Sequence, residues 1–134
     1  MRYGRLIELL KQVDRARVDL MTFLEQLGVA LRGGIASLRR GRSLAPHVPA
    51  FTLLHVQLLK RLDAMHHSVS EARAEAVRLL VEEEGLSVTS VARLMGRPRQ
   101  IVSRLYHHAA AQNGEAGEPD GARAHPTSGR GAAR

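Results

Sequence analysis

Cysteine is absent from this 134-residue chain, and so is tryptophan. Without thiols there is no disulfide, no thiolate nucleophile, no iron–sulfur cluster and no cysteine-ligated zinc. Aromatic residues make up only 3%, namely Tyr3, Phe23, Phe51 and Tyr106. A core so poor in rings must be filled by Leu, Val, Ala and Met, which suits packed helices better than a sandwich or barrel. No uninterrupted apolar run reaches the roughly 18 residues a spanning helix needs, and no signal-peptide pattern opens the chain. A cytoplasmic location is expected. Lysine is scarce as well: Lys11 and Lys60 stand against 18 arginines. The planar guanidinium grips phosphate at two points, although the nucleotide composition of a genome would give the same ratio. Glycine-rich phosphate loops, a nucleophile elbow and carboxylate pairs set among apolar residues are all missing, so no enzyme is expected.

What is present is 44% hydrophobic and 25% charged, with a net charge of +7. That composition fits one globular domain. The charge is uneven along the chain. Residues 1–44 carry +5 and residues 86–112 carry +4, while residues 66–85 between them carry −3. The segment Asn113–Arg134 has no Leu, Ile, Val, Phe, Met or Tyr. It has nothing to bury, and residues 112–134 are expected to form a disordered tail.

The remainder reads as all-α. Alternate steps of four and three from Leu6 reach Leu10, Val13, Arg17, Leu20 and Leu24 and continue to Leu38, a heptad-like seam suited to pairing with another helix. Gly33–Gly34 is expected to break this first helix. Arg17 inside the seam either sets register or marks solvent. A largely buried helix is expected from Ala50 to about Met65, because its apolar residues cover more than one face. A further helix is expected to open at Ser68, with Glu71 completing a capping box, and to end at Gly85. This divides the chain into a helical scaffold at 1–66, a second region at 67–111 and the tail.

The most informative stretch is LSVTSVARLMGRPRQIVSRLYHHA, residues 86–109. Two short helices joined by a tight turn need a small residue at their contact, a glycine in the turn and apolar pegs beneath. Ala92, Gly96 and the set Val91, Met95, Val102, Leu105 meet those needs, and Pro98 suits the start of a second helix. With Ile101, Val102 and Leu105 read as buried, the outward residues are Arg99, Gln100, Ser103, Arg104 and His107. Arg bonds guanine with two donors and Gln does the same for adenine, while Ser103 suits phosphate. Arg93 and Arg97 would flank the groove as backbone contacts. No acidic residue lies between Leu86 and Gln112.

On Ala92, Gly96, Val102, Leu105 and the run VSR at 102–104, the segment resembles the helix-turn-helix family of bacterial transcription regulators. The lead-in EEEGLSV at 82–88 is similar to that of MarR-type members. Two departures are Arg97, where the family usually has an apolar residue, and the lack of a strand pair for a wing after Tyr106. The resemblance implies a regulator of double-stranded DNA that reads the major groove with the helix near 98–111. A homodimer through the N-terminal helices would read an inverted repeat with half-sites near one helical turn apart. The alternative is a helical protein–protein interaction module whose two-helix segment is structural. A small-molecule effector lodged along the second helix is a further option.

Other groups read more blandly. The pairs His66–His67 and His107–His108 lack metal-ligand spacing, so no metal or other cofactor is expected. His107 and His108 are read as phosphate contacts or as solvent-exposed. Arg39, Arg40 and Arg42 are read as a solvated loop, with DNA backbone or an acidic partner as alternatives. Glu82, Glu83 and Glu84 end a helix where its dipole disfavours them, and are read as a solvated turn.

Overall fold

The computed structural model describes residues 2–117. Their regular structure is all helical, without a strand: α1 (Gly4–Arg39), a 3₁₀ turn at Ala45–His47, α2 (Val48–Glu82), α3 (Val88–Met95) and α4 (Arg99–Gly117). The first two helices form an antiparallel hairpin. Its register shows in three places: Gly34 faces Phe51, the Arg61 guanidinium lies 4.5 Å over the Phe23 ring, and Arg5 reaches Glu75. At 1.5 Å per residue, the 36 residues of α1 span about 54 Å.

Helix α1 does not break at Gly33–Gly34. Gly34 is buried against α2, and a Cβ there would lie 3.0 Å from Phe51 Cζ. The glycine is retained for close approach, and packing outweighs its low helix propensity. The chain reverses only after Arg39, with Gly41 at φ +77. His47 closes the reversal: its Nε2 lies 3.1 Å from the buried Ser37 Oγ, and its ring stacks on Phe51.

Nor does a helix open at Ser68. Helix α2 is continuous from Val48 to Glu82, so the division between residues 66 and 67 falls inside one helix. The second helix is also less buried than its composition suggests. Leu53, Val56, Leu59 and Leu62 are exposed, because a two-helix hairpin offers each helix one partner and therefore buries one stripe. Arg17 faces solvent, paired with Asp14 at 2.8 Å.

The end of α2 is built as expected around Gly85, at φ +72. Glu84 N donates to Leu79 O and Leu86 N to Leu80 O across it. Helices α3 and α4 then fold back onto α2. Val77, Val91, Ala92 and Val102 form their common core, packed around by Leu80, Leu86, Met95 and Leu105. Helix α4 runs to Gly117, further than the composition of residues 112–117 suggests, and Asn113 Nδ2 ties it down by donating to Glu75 Oε1 and Ala109 O. The rest of the expected tail, 118–134, lies outside the described residues. No helix among those described is long and apolar enough to cross a membrane.

Candidate nucleic-acid interface

The turn chemistry of residues 86–109 is realised residue by residue. Ser87 caps α3, its Oγ accepting from Ser90 N at 3.1 Å. Gly96 takes the left-handed conformation at φ 64, and Arg97 N donates to Ala92 O across the turn. Pro98 precedes α4, and its carbonyl accepts from Ile101 N and Val102 N. Val91 and Val102 are fully buried and Ala92 nearly so, which pins both helices from beneath. Ile101 differs from expectation: it is 37% exposed, because Val102 and Leu105 already fill the space under α4.

An open groove runs between the start of α3 and the outer face of α4, lined by Val88, Arg99, Gln100, Ser103 and Arg104. The structure therefore brings together four residues that the sequence singled out. Arg93 on α3, Arg97 in the turn and His107 on α4 are exposed but stand outside that lining. His107 lies one helical turn beyond Ser103 and Arg104, and meets the Tyr106 ring edge-on at 5.4 Å. None of the four arginines pairs with a described carboxylate. Their charge is uncompensated, and the first-turn amides of α4 add partial positive charge beside the groove.

His108 is exposed, one of the two readings its sequence allowed, and its Nε2 also lies 2.8 Å from Glu71 Oε1, which braces α4 against α2. Further bracing comes from residues the sequence reading passed over. Glu75 is 1% exposed and takes two hydrogen bonds from Arg78, at 3.0 and 2.8 Å, and one from Asn113, at 2.9 Å. Arg5 of α1 stands 3.8 Å away. Burial pushes the Glu75 carboxyl up, but the bonds from Arg78 and Asn113 and the charges of Arg78 and Arg5 outweigh it and hold the group below its ordinary value. Arg78 is held above its own ordinary value, chiefly by its bond to Glu75. Tyr106 Oη donates to Glu82 Oε2 at 2.9 Å, and this bond raises the phenol above its usual range. The spacing of Glu75, Arg78 and Glu82 by three and four residues was a visible signal; the burial of Glu75 was not.

The scaffold of this site is the last part of α2 with α3 and α4, three helices around one small core. Residues 67–119 match the homeodomain-like domain family. The chain carries a helix-turn-helix DNA-binding domain. No curated protein and no solved structure matches the chain. In this helix-turn-helix domain α3 is the first helix of the motif and α4 the second, whose exposed basic face borders the groove.

Proposed function

We propose that the protein is a sequence-specific transcription regulator that reads double-stranded DNA in the major groove with α4 and works as a homodimer. One observation carries the reading. Arg99, Gln100, Ser103 and Arg104 flank a single groove, on a helix pinned by Val102 and Ala109, with no described carboxylate on either guanidinium. Such a surface offers bidentate donors for guanine and adenine edges and a hydroxyl for phosphate. Arg93 and Arg97 supply sequence-independent contacts to the backbone. The dimer is supported by the hairpin: apart from Leu94 and Ile101, every large apolar residue exposed among those described lies between Ile7 and Leu62. Monomers rarely leave so extensive an apolar surface uncovered.

Selection of bound duplexes from random DNA tests the reading directly. A defined motif with two half-sites in opposite orientation is the expected result, and recovery of random sequence would refute it. Arg99→Ala and Arg104→Ala should each cost about 1–3 kcal/mol of binding to the selected site and relax the preference at one base position. Equal affinities of wild type and both variants would remove α4 from the reading role.

A further inference from the structure

Two charge clusters stand at opposite ends of the hairpin. Between Gln26 and Leu62 the chain has no acidic residue and six basic ones: Arg32, Arg39, Arg40, Arg42, Lys60 and Arg61. Arg61 is paired with Asp19 at 3.3 Å, whereas Arg39, Arg40 and Arg42 at the tip meet no described carboxylate. The other half of the hairpin, residues 2–25 with 63–84, holds ten acidic and seven basic residues. Its extremity is the run Glu82, Glu83 and Glu84, exposed at the pole of α2 that repels anions. Glu83 has only Arg2 at 3.8 Å, and Glu84 accepts one bond from Tyr3 Oη at 3.3 Å.

Between these ends runs the uncovered apolar face. It contains one groove near the helix-turn-helix domain, with Leu6, Leu10 and Val13 opposite Val69 and Ala72, and another toward the tip, with Leu27 and Leu31 opposite Phe51 and Leu54. Leu6, Val13, Leu20 and Leu27 lie seven residues apart, as do Leu10, Leu24, Leu31 and Leu38 at one or two multiples of seven, so both grooves belong to one side of a supercoiled hairpin. A face about 54 Å long and about 15 Å across offers roughly 800 Å² per protomer, the size of a stable interface.

We propose that this face is covered by a second copy of the chain laid antiparallel, so that the Arg39–Arg40 tip of each protomer meets Glu83 and Glu84 of the other. The proposal rests on the homodimer reading above and gives it an orientation. Because exposed apolar residues run from Ile7 to Leu38 along α1, only full overlap covers them, and in the antiparallel arrangement full overlap sets tip against base. Parallel pairing would place two acid-free tips side by side, which like charges oppose. The two DNA-reading heads then project from opposite ends, about 50 Å or more apart. Their sites are accordingly spaced by more than the roughly 34 Å of one helical turn.

Sedimentation equilibrium of the full chain without DNA, at near-physiological salt, tests the contact. Wild type should be dimeric. Arg39→Glu with Arg40→Glu, and separately Glu83→Lys with Glu84→Lys, should each weaken the dimer by tenfold or more. An equimolar mixture of the two double variants should recover it, since both ends of that heterodimer again pair opposite charges. The chain has no cysteine, so Ser43→Cys can carry a single spin label at the tip. Antiparallel pairing gives a label separation of about 50 Å and parallel pairing one under about 25 Å. A monomeric wild type, a short tip-to-tip distance, an unweakened Glu83→Lys/Glu84→Lys pair or a mixture that does not recover would each overturn the proposal. Selection of DNA by the heads is read separately, so failure of the dimer and failure of base reading are distinguishable.

Discussion

Glu75 joins three helices through one carboxylate: Arg78 on its own helix, Asn113 on α4 and Arg5 on α1. Removing one partner of a buried pair strands the other. Glu75→Ala is therefore expected to cost about 3–5 kcal/mol in denaturant unfolding, a larger loss than removal of any exposed ion pair. The folded carboxyl titrates below its ordinary value of 4.5. Its stabilisation is complete above that value and is lost as the pH falls through the lower folded one. Thermal unfolding followed from neutral pH into acid should show the wild-type midpoint dropping more steeply than that of Glu75→Gln. Parallel curves would show that this carboxylate contributes nothing to acid sensitivity.

At the scale of elements, the Gly34–Phe51 contact decides how closely α1 and α2 approach. Gly34→Val places branched carbons where even a Cβ lies 3.0 Å from the ring, and should destabilise the hairpin by about 1–3 kcal/mol. Helicity followed through a urea titration measures this, and an unchanged midpoint would mean that the helices simply shift. The same position shows why the hairpin was only partly legible in the sequence. Local propensity reads Gly33–Gly34 as a stop, and Ser68 with Glu71 as a cap; tertiary packing overrides the first, and the second pattern looks the same inside a helix as at its end. The helix-turn-helix was legible because Ala92, Gly96, Pro98 and their apolar anchors all act within 24 residues of one another. Glu71 with His108 and Glu75 with Asn113 were not, since 37 and 38 residues separate the partners and no periodicity links them.

For the whole molecule, charge sets how affinity responds to salt. Each phosphate neutralised contributes about 0.9 to the slope of log affinity against log salt. Arg97→Ala should reduce that slope by about 0.9 per head and weaken every duplex alike, whereas Arg104→Ala should alter the ranking of sequences. Fluorescence anisotropy across a salt series, on selected and unrelated duplexes, separates the two effects. Identical behaviour of the two variants would erase the distinction between positioning and reading.

Helix α2 belongs to both parts of the protein: it packs against α1 from Phe51 to Glu75, and its last turns also seat α3 and α4. An uninterrupted rod has no swivel. Twist applied at one extremity is therefore carried toward the other, and the angular phase between the hairpin and the helix-turn-helix domain is keyed residue by residue, about 100° for each one inserted or deleted.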